Sequence, residues 1–480
     1  MTRKAFIGAT VIDGTGTAPR DNSAIVVADG RFESVGSAAE LVRDELEPVD
    51  VTGKHVIPGL LDANVHLLIQ SDPEFLLRYE PGEYDELILE AAQIALKAGL
   101  TTVFDTWGPV EALRRVRDRI NAGDAVGSRI FFAGNIIGND GPWSIDFDGR
   151  VFGQVLNPEV VASVNRHWEY GVGGDLPWMP AETVRQAVHE YIATSGIDFV
   201  KYSSSVHKDL KFICFSPNAQ RAIVEEAHAA GMTAQACTIS PEALKMAIEA
   251  GTDLLQHGNI TGRFPMPQET VDLICSRQIP CVAFLMTERY MVATSKSSVA
   301  ARLEDLFGCQ LENNRKLIEG DAKLVYGDDA GPWSPSITGS PAWGKYYVDE
   351  FYMDLGKSHV YWFRAAGEQG MAPMDALVAA TRNAAEAYGK LDELGTIEPG
   401  KRADMVVLDA DPLADPENYG RVAYVVKDGE LVDLDRLPEH PVLTRPSEDM
   451  QSERTSRHAL VGASEPGHCC SWARSMGTSA

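Results

Sequence analysis

Residues 56–68 read VIPGLLDANVHLL. A mostly apolar run through Leu61 gives way to polar side chains at Asp62, Asn64 and His66. Alternate residues of a β-strand share a face, so Asn64 and His66 would project side by side from the end of a buried strand. Burying an amide and an imidazole costs free energy unless both find partners. The stretch therefore predicts a core strand that delivers polar groups to a site. The asparagine is the odd feature, because two histidines would make the stronger pincer for a metal ion.

Downstream, strand and helix patterns alternate. Strands are expected at 60–67, 101–106, 129–137, 198–205, 233–237, 253–258, 280–286 and 323–330. The helical run 85–98 stops at Gly99, and Ser216-Pro217 reads as a cap and first position for a helix over 217–230. Eight such alternations over roughly 300 residues predict an α/β fold, a (β/α)8 TIM-like barrel with its chemistry where the strands end. Two long connections, 138–178 and 331–358, follow the third and eighth strands and would roof that face. The second carries Trp333, Trp343, Tyr346, Tyr347, Phe351 and Tyr352. It reads as a wall of a substrate pocket, with an oligomer contact as the plainer alternative.

Both chain ends have the texture of short strands, with Asp29-Gly30 and Asp428-Gly429 as hairpin turns. Residues 1–57 and 395–437 are expected to pair into one small β-sandwich, with the barrel over 58–394 inserted between them. From about 438 to 480 the chain is rich in Ser, Pro, Arg and Glu, lacks periodicity, and reads as a disordered tail. His440, His458, His468, Cys469 and Cys470 lie there, more simply scattered than metal-binding.

The chain has 480 residues, 44% hydrophobic and 23% charged, with a formal charge of −26. That acidity argues against a nucleic-acid partner. The amino terminus lacks the apolar segment of a secretion signal, and no run approaches the ~18 apolar residues of a membrane span. Seven irregularly spaced cysteines fit a reducing cytoplasm without a disulfide framework. The expectation is a cytoplasmic homo-oligomer acting on a small molecule, with neither nucleic acid nor membrane as partner.

Polar residues near the expected strand ends are Asn64 and His66, then Lys201, Gln235 and Cys237, His257, and Asp328 and Asp329. Burial lowers a lysine pKa and frees the neutral amine, which can add carbon dioxide to give a carbamate, an anionic oxygen ligand. Imidazole, carboxylate and carbamate together suit zinc or a neighbouring transition metal. Singly, each residue has a plain structural reading. Their placement in order along one rim makes the case. Asp105, Trp107 and His207 also lie near strand ends, where they could touch substrate, whereas His228 falls inside a helix and reads as structural.

These motifs resemble the amidohydrolase superfamily. VIPGLLDANVHLL is similar to its Pro-Gly, apolar pair, Asp and His-x-His opening. FVKYSSS (199–205) fits its carbamylated lysine at Lys201, and HGN (257–259) its strand-six His-Gly. YGDDAGP (326–332) resembles its Gly-Thr-Asp-Ala-Gly, which places the family aspartate at Asp329 rather than Asp328. TRNAAEAYGKLDELGTIEPGKRADMVVLDADPL (381–413) is similar to the run that returns to the sandwich, so the likeness covers about residues 3–433. Two positions depart from the pattern. Asn64 replaces the first histidine, and the strand-five histidine position falls on Cys237 by spacing, with Gln235 as the alternative. Cys237 could be a thiolate ligand or a small buried residue. An amide oxygen is a poor ligand, so a single metal is expected. The Asn-x-His variant resembles the subgroup of phenylurea hydrolases and molinate hydrolase.

The resemblance implies a metal-dependent hydrolase of carbon–nitrogen bonds. Its one divalent ion, zinc first with cobalt, manganese or iron as alternatives, would be held by Asn64, His66, the carbamate of Lys201, His257 and Asp329. Asp329, His257 and Lys201 would be the catalytic residues. The substrate would be an apolar urea or carbamate-type amide, foremost a phenylurea herbicide split to an aniline, carbon dioxide and an alkylamine. A thiocarbamate is the alternative. An N-acyl amino acid or dipeptide would call for an arginine at the rim, and the strand-end segments offer none. A non-catalytic scaffold would have no use for His66, Lys201, His257 and Asp329.

Overall fold

The computed structural model describes residues 3–43, 45–68, 76, 83–142, 158–206, 213–295, 307–333 and 350–444. The first strands are β1 (Lys4–Val11), β2 (Arg20–Ala28), β3 (Arg31–Ser37), β4 (Glu47–Asp50) and β5 (His55–Pro58). Asp29 and Gly30 join β2 to β3 with φ of 53° and 75°, the left-handed pair that a two-residue hairpin requires. The middle supplies β6 (Leu60–Val65), β7 (Leu100–Asp105), β8 (Arg129–Phe132) and β9 (Val200–Ser203). It continues with β10 (Ala234–Cys237), β11 (Leu254–Gln256), β12 (Cys281–Val282) and β13 (Leu324–Val325). The chain closes with β14 (Met405–Leu408), β15 (Val422–Lys427) and β16 (Glu430–Leu431).

All eight middle strands overlap the expected stretches and alternate with helices, as an α/β fold requires. Their pairing differs from one continuous ring. β6, β7 and β8 form one parallel sheet and β9 to β13 another. Isolated parallel bridges link the edges, Ile137 with Tyr202 and Val65 with Ala330. Several strands are shorter than expected because the chain bends away to aim side chains. His257 and Asp329 sit past the ends of β11 and β13 with φ of 51° and 54°, which no strand sustains.

The two chain ends come together through strand pairing of order β16-β15-β14-β5-β1-β2-β3, with β4 on β1. β14 runs antiparallel to β5 from Met405–Pro58 to Leu408–His55, and the segment before β14 bonds back to β3, where Phe32 N–H donates to the Lys401 carbonyl at 2.9 Å beside an Arg31–Arg402 bridge. Phe6, Val11, Ile25, Phe32, Val56, Met405 and Val407 are among the side chains of the apolar core of these strands.

Helix ends follow the local chemistry. Helix Tyr84–Lys97 stops before Gly99, whose φ is +91° and where an added Cβ would come within 3.1 Å of Val406. The Ser216 hydroxyl accepts from the Ala219 N–H at 3.3 Å and opens helix Pro217–Ala229. Glu90 is a buried carboxylate on a helix face that is apolar apart from Gln93. It accepts from the N–H groups of Val442, Leu443 and Thr444 at 2.6, 2.7 and 3.1 Å. The start of the expected tail is therefore docked, with Leu443 in the core. Residues 445–480, with His458, His468, Cys469 and Cys470, lie outside the described residues, as do His207, Trp343, Tyr346 and Tyr347. Among the described residues no helix is long and apolar enough to cross a membrane.

Arg129 of β8 fastens the two parts. Its guanidinium lies 3.2 Å from Asp404 and 2.8 Å from Asp428, and both Arg129 and Asp404 are buried. Arg129→Ala would leave Asp404 buried without its cation and should cost about 3 kcal/mol or more, read as a lowered denaturant midpoint. Burial pushes the Asp428 carboxyl up, yet Arg129 and Lys427 hold it at about 2. Its folded pKa is below the unfolded value near ~3.9. The stabilisation is therefore full above pH ~4 and lost as pH falls from there toward 2, and the variant should lose that part of the acid dependence.

Candidate active site

Asn64 near the end of β6 and His66 just past it have 0% and 2% of their surface exposed. The Asn64 N–H is turned by the Asp62 carboxylate at 3.0 Å. Its side-chain oxygen accepts a short hydrogen bond from the Thr106 hydroxyl, and its Nδ2 lies 3.2 Å from His257 Nε2. Lys201, 1% exposed, donates from Nζ to the same Thr106 hydroxyl at 3.0 Å. Asp329 Oδ1 is 3.4 Å from His66 Nε2 and 3.5 Å from His257 Nε2. The structure thus gathers Asn64, His66, His257 and Asp329 directly and reaches Lys201 through one hydroxyl.

The backbone explains the gathering. Left-handed φ at His257 and Asp329 is uncommon outside glycine, and such strain concentrates at functional positions. Gly327 lets the eighth strand approach the first, since a Cβ there would lie 3.1 Å from the Asn64 backbone nitrogen.

Burial works against the Asp329 charge, but His257, His66 and Lys201 hold its carboxyl far below the usual carboxylate range. It is an anion at neutral pH. Burial raises Asp105 to about 6, against the pull of His66, Lys201 and the two amides it binds. Those amides, Leu67 N–H at 2.9 Å and Trp107 N–H at 3.1 Å, occupy both its oxygens. Asp105 is a backbone clamp rather than a substrate contact. Trp107 is fully buried and donates to Asn135 at 2.8 Å, with its ring edge-on to His66. Burial, then the charge of Asp328, pushes Asp62 well above its ordinary value, and burial takes Asp328 to about 7. Asp328 accepts from the Tyr326 hydroxyl at 3.0 Å and the Ala330 N–H at 3.2 Å. The two buried carboxyls clasp β6 to the segment that carries Asp329. His228 binds Asp253 at 2.8 Å on a helix surface, the structural role expected of it.

The strand-five position is occupied otherwise. Gln235 accepts from Gln256 at 2.7 Å and from the Tyr388 hydroxyl at 3.3 Å, in a network that also holds the Ala63 carbonyl. Cys237 is buried in register with Ser203 and Gln256. Among the described residues no three His, Cys, Asp or Glu side chains form a ready cation cage.

The donor set nonetheless fits a single cation. Nitrogen and oxygen ligands sit ~2.0–2.2 Å from zinc, so two tetrahedral ligands are about 3.4 Å apart. The Asp329–His66 and Asp329–His257 separations, 3.4 and 3.5 Å, are long for hydrogen bonds and right for that edge. Buried Asp329 Oδ1 and His66 Nδ1 lack hydrogen-bond partners among the described residues.

Aromatic side chains wall one flank. Phe284 lies 4.8 Å from the His257 ring and 6.2 Å from Tyr352. Tyr290, Phe307 and Phe351 surround Tyr352, and Trp333 packs on Phe351. The aromatic segment after β13 is therefore part of this wall in its described portion. Sequence reasoning missed Phe284 and Tyr290, which come from the segment after β12, and Thr106. For Thr106 the available signal was its place one residue past Asp105, at the end of the strand beside Asn64.

An α/β chain with strand-end imidazoles, a buried lysine and an ionised aspartate has the makings of an amidohydrolase. The Amidohydrolase family pattern matches residues 55–432, and the chain belongs to that family. Within it the chain is a member of the subgroup of two solved enzymes. Molinate hydrolase is 36% identical with a TM-score of 0.86, covering 93% of this chain and 97% of that one. Phenylurea hydrolase B is 34% identical with a TM-score of 0.85, covering 93% and 100%. Ochratoxinase of Aspergillus niger is 25% identical over 447 residues, 88% of this chain and 85% of that protein. The family and these structures imply the TIM-barrel architecture, and the chain is a hydrolase of carbon–nitrogen bonds.

Proposed function

We propose that this enzyme cleaves the C–N bond of an apolar urea, foremost a phenylurea, to an aniline, carbon dioxide and an alkylamine. The observation that carries the reading is the Asp329 anion, its Oδ1 buried between two imidazoles, beside the wall of Phe284 and Tyr352. That wall suits an aryl group. The likeness to molinate hydrolase favours a thiocarbamate as the second reading.

His66, His257, Asp329 and the carbamate of Lys201 would hold one divalent ion, zinc first, with Asn64 as a weak further ligand. When bound, such an ion supplies Lewis acidity and lowers the pKa of the attacking water. Asp329, ionised at neutral pH, takes the proton of that water and returns it to the leaving nitrogen. Phe284 and Tyr352 hold the ring and exclude solvent. The carbamic acid product then loses carbon dioxide to release the alkylamine. We place the enzyme in the cytoplasm as a homo-oligomer, in keeping with its charge of −26 and its scattered cysteines.

Turnover of a linuron-like phenylurea, a molinate-like thiocarbamate and an N-acyl amino acid, each followed by amine release, tests the reading. The phenylurea should have the highest kcat/KM. Preference for the N-acyl amino acid would contradict it.

A further inference from the structure

We propose that Thr106 couples the chemical state of Lys201 to the orientation of the Asn64 amide, and so sets when Asn64 can offer an oxygen to a cation. The inference rests on the one-metal, carbamate reading above and deepens it.

The argument is a count of protons. A threonine hydroxyl has one proton to give and two lone pairs to receive with. Lys201 Nζ donates to Thr106 at 3.0 Å, so the Thr106 proton goes to its other neighbour, the Asn64 side-chain oxygen. That bond fixes the amide. Its oxygen points toward Thr106, away from His257, and its NH2 faces His257 Nε2 at 3.2 Å. An amide nitrogen has no lone pair for a metal. In this arrangement Asn64 is not a ligand, and it also engages the His257 nitrogen that a cation needs. Thr106, Asn64 and Lys201 are all at most 1% exposed, so bulk water cannot relieve the constraint.

Carbamylation reverses the polarity of the chain. The Lys201 nitrogen attacks the carbon of carbon dioxide, an N–C bond forms, and one C=O electron pair moves to oxygen. The ammonium first gives one proton to solvent to free the attacking lone pair, and a second proton leaves the nitrogen for solvent once the N–C bond has formed. The side chain now ends in acceptor oxygens. The Thr106 proton is drawn to that anion, because a charge-assisted hydrogen bond outweighs one to a neutral amide. With its oxygen released, the Asn64 amide can turn over about its terminal, roughly two-fold torsion. Its NH2 then donates to a Thr106 lone pair, and its oxygen faces His66, His257 and Asp329. The Thr106 hydroxyl and the Asn64 amide keep partners in both states, as burial demands. Thr106 is a positioning residue, since it acts through Asn64 and Lys201.

The test is the zinc affinity of metal-free protein, by competition with a chromophoric chelator, with and without bicarbonate. In the unaltered chain bicarbonate should tighten zinc. Thr106→Val keeps the shape and removes the hydroxyl. It should shrink that bicarbonate-driven gain by about tenfold or more, the usual effect of losing a partner of a metal ligand. Thr106→Ser should keep the gain. Asn64→Asp has acceptor oxygens on both sides and needs no turn, so its gain should shrink with Thr106 still present, which guards against a folding defect in the valine variant. Equal gains in the unaltered chain, T106V and N64D would overturn the relay and leave the metal reading standing. Failure of the unaltered chain to bind zinc even with bicarbonate would overturn both.

Discussion

Asp329→Asn should abolish phenylurea turnover, by at least ~10³-fold, while zinc still binds at saturating concentration. The substitution keeps the size of the side chain and an oxygen to face His66 and His257, which lie 3.4 and 3.5 Å from the carboxylate now. It removes the anion that receives the proton of water and delivers it to the leaving nitrogen. Near-full turnover would show that another group moves the proton. Loss of zinc together with activity would show that Asp329 is foremost a ligand. The Asp62–Asp328 clasp should survive, since the Tyr326 and Ala330 bonds to Asp328 do not involve residue 329.

Lys201→Ala should weaken zinc binding by more than the ~10–100-fold typical of an outer-shell partner, and turnover should fall in step. The truncation empties a fully buried space beside Thr106. If the working group is the carbamate, a short carboxylate such as formate or propionate entering that space should restore part of both zinc binding and activity. If the working group is the free amine, a short alkylamine should rescue instead.

The fold was legible where periodicity and punctuation were strong. Gly99 after helix Tyr84–Lys97, the Ser216 cap and the two Asp-Gly turns each impose a local geometry whatever the distant context. Sheet closure was not legible. The pairing of β14 with β5 depends on long-range register, which no local pattern encodes. The docking of 438–444 was missed because its partner, Glu90, looks like an ordinary solvated glutamate in the sequence. Asn64, His66, His257 and Asp329 were readable because they sit at strand ends in family motifs. Thr106 was not, since a threonine at a strand end is usually just a good strand former. Spacing put the strand-five position at Cys237, with Gln235 as the alternative. The structure ties Gln235 to Gln256 and Tyr388, where its side chain holds the interior together.

The central claim is a reaction centre built around one cation. Elemental analysis of the purified chain, loaded with zinc and bicarbonate and freed of excess, tests it most directly. The account predicts one divalent ion per chain, falling to a small fraction in Lys201→Ala. Two ions per chain, or none, would contradict it.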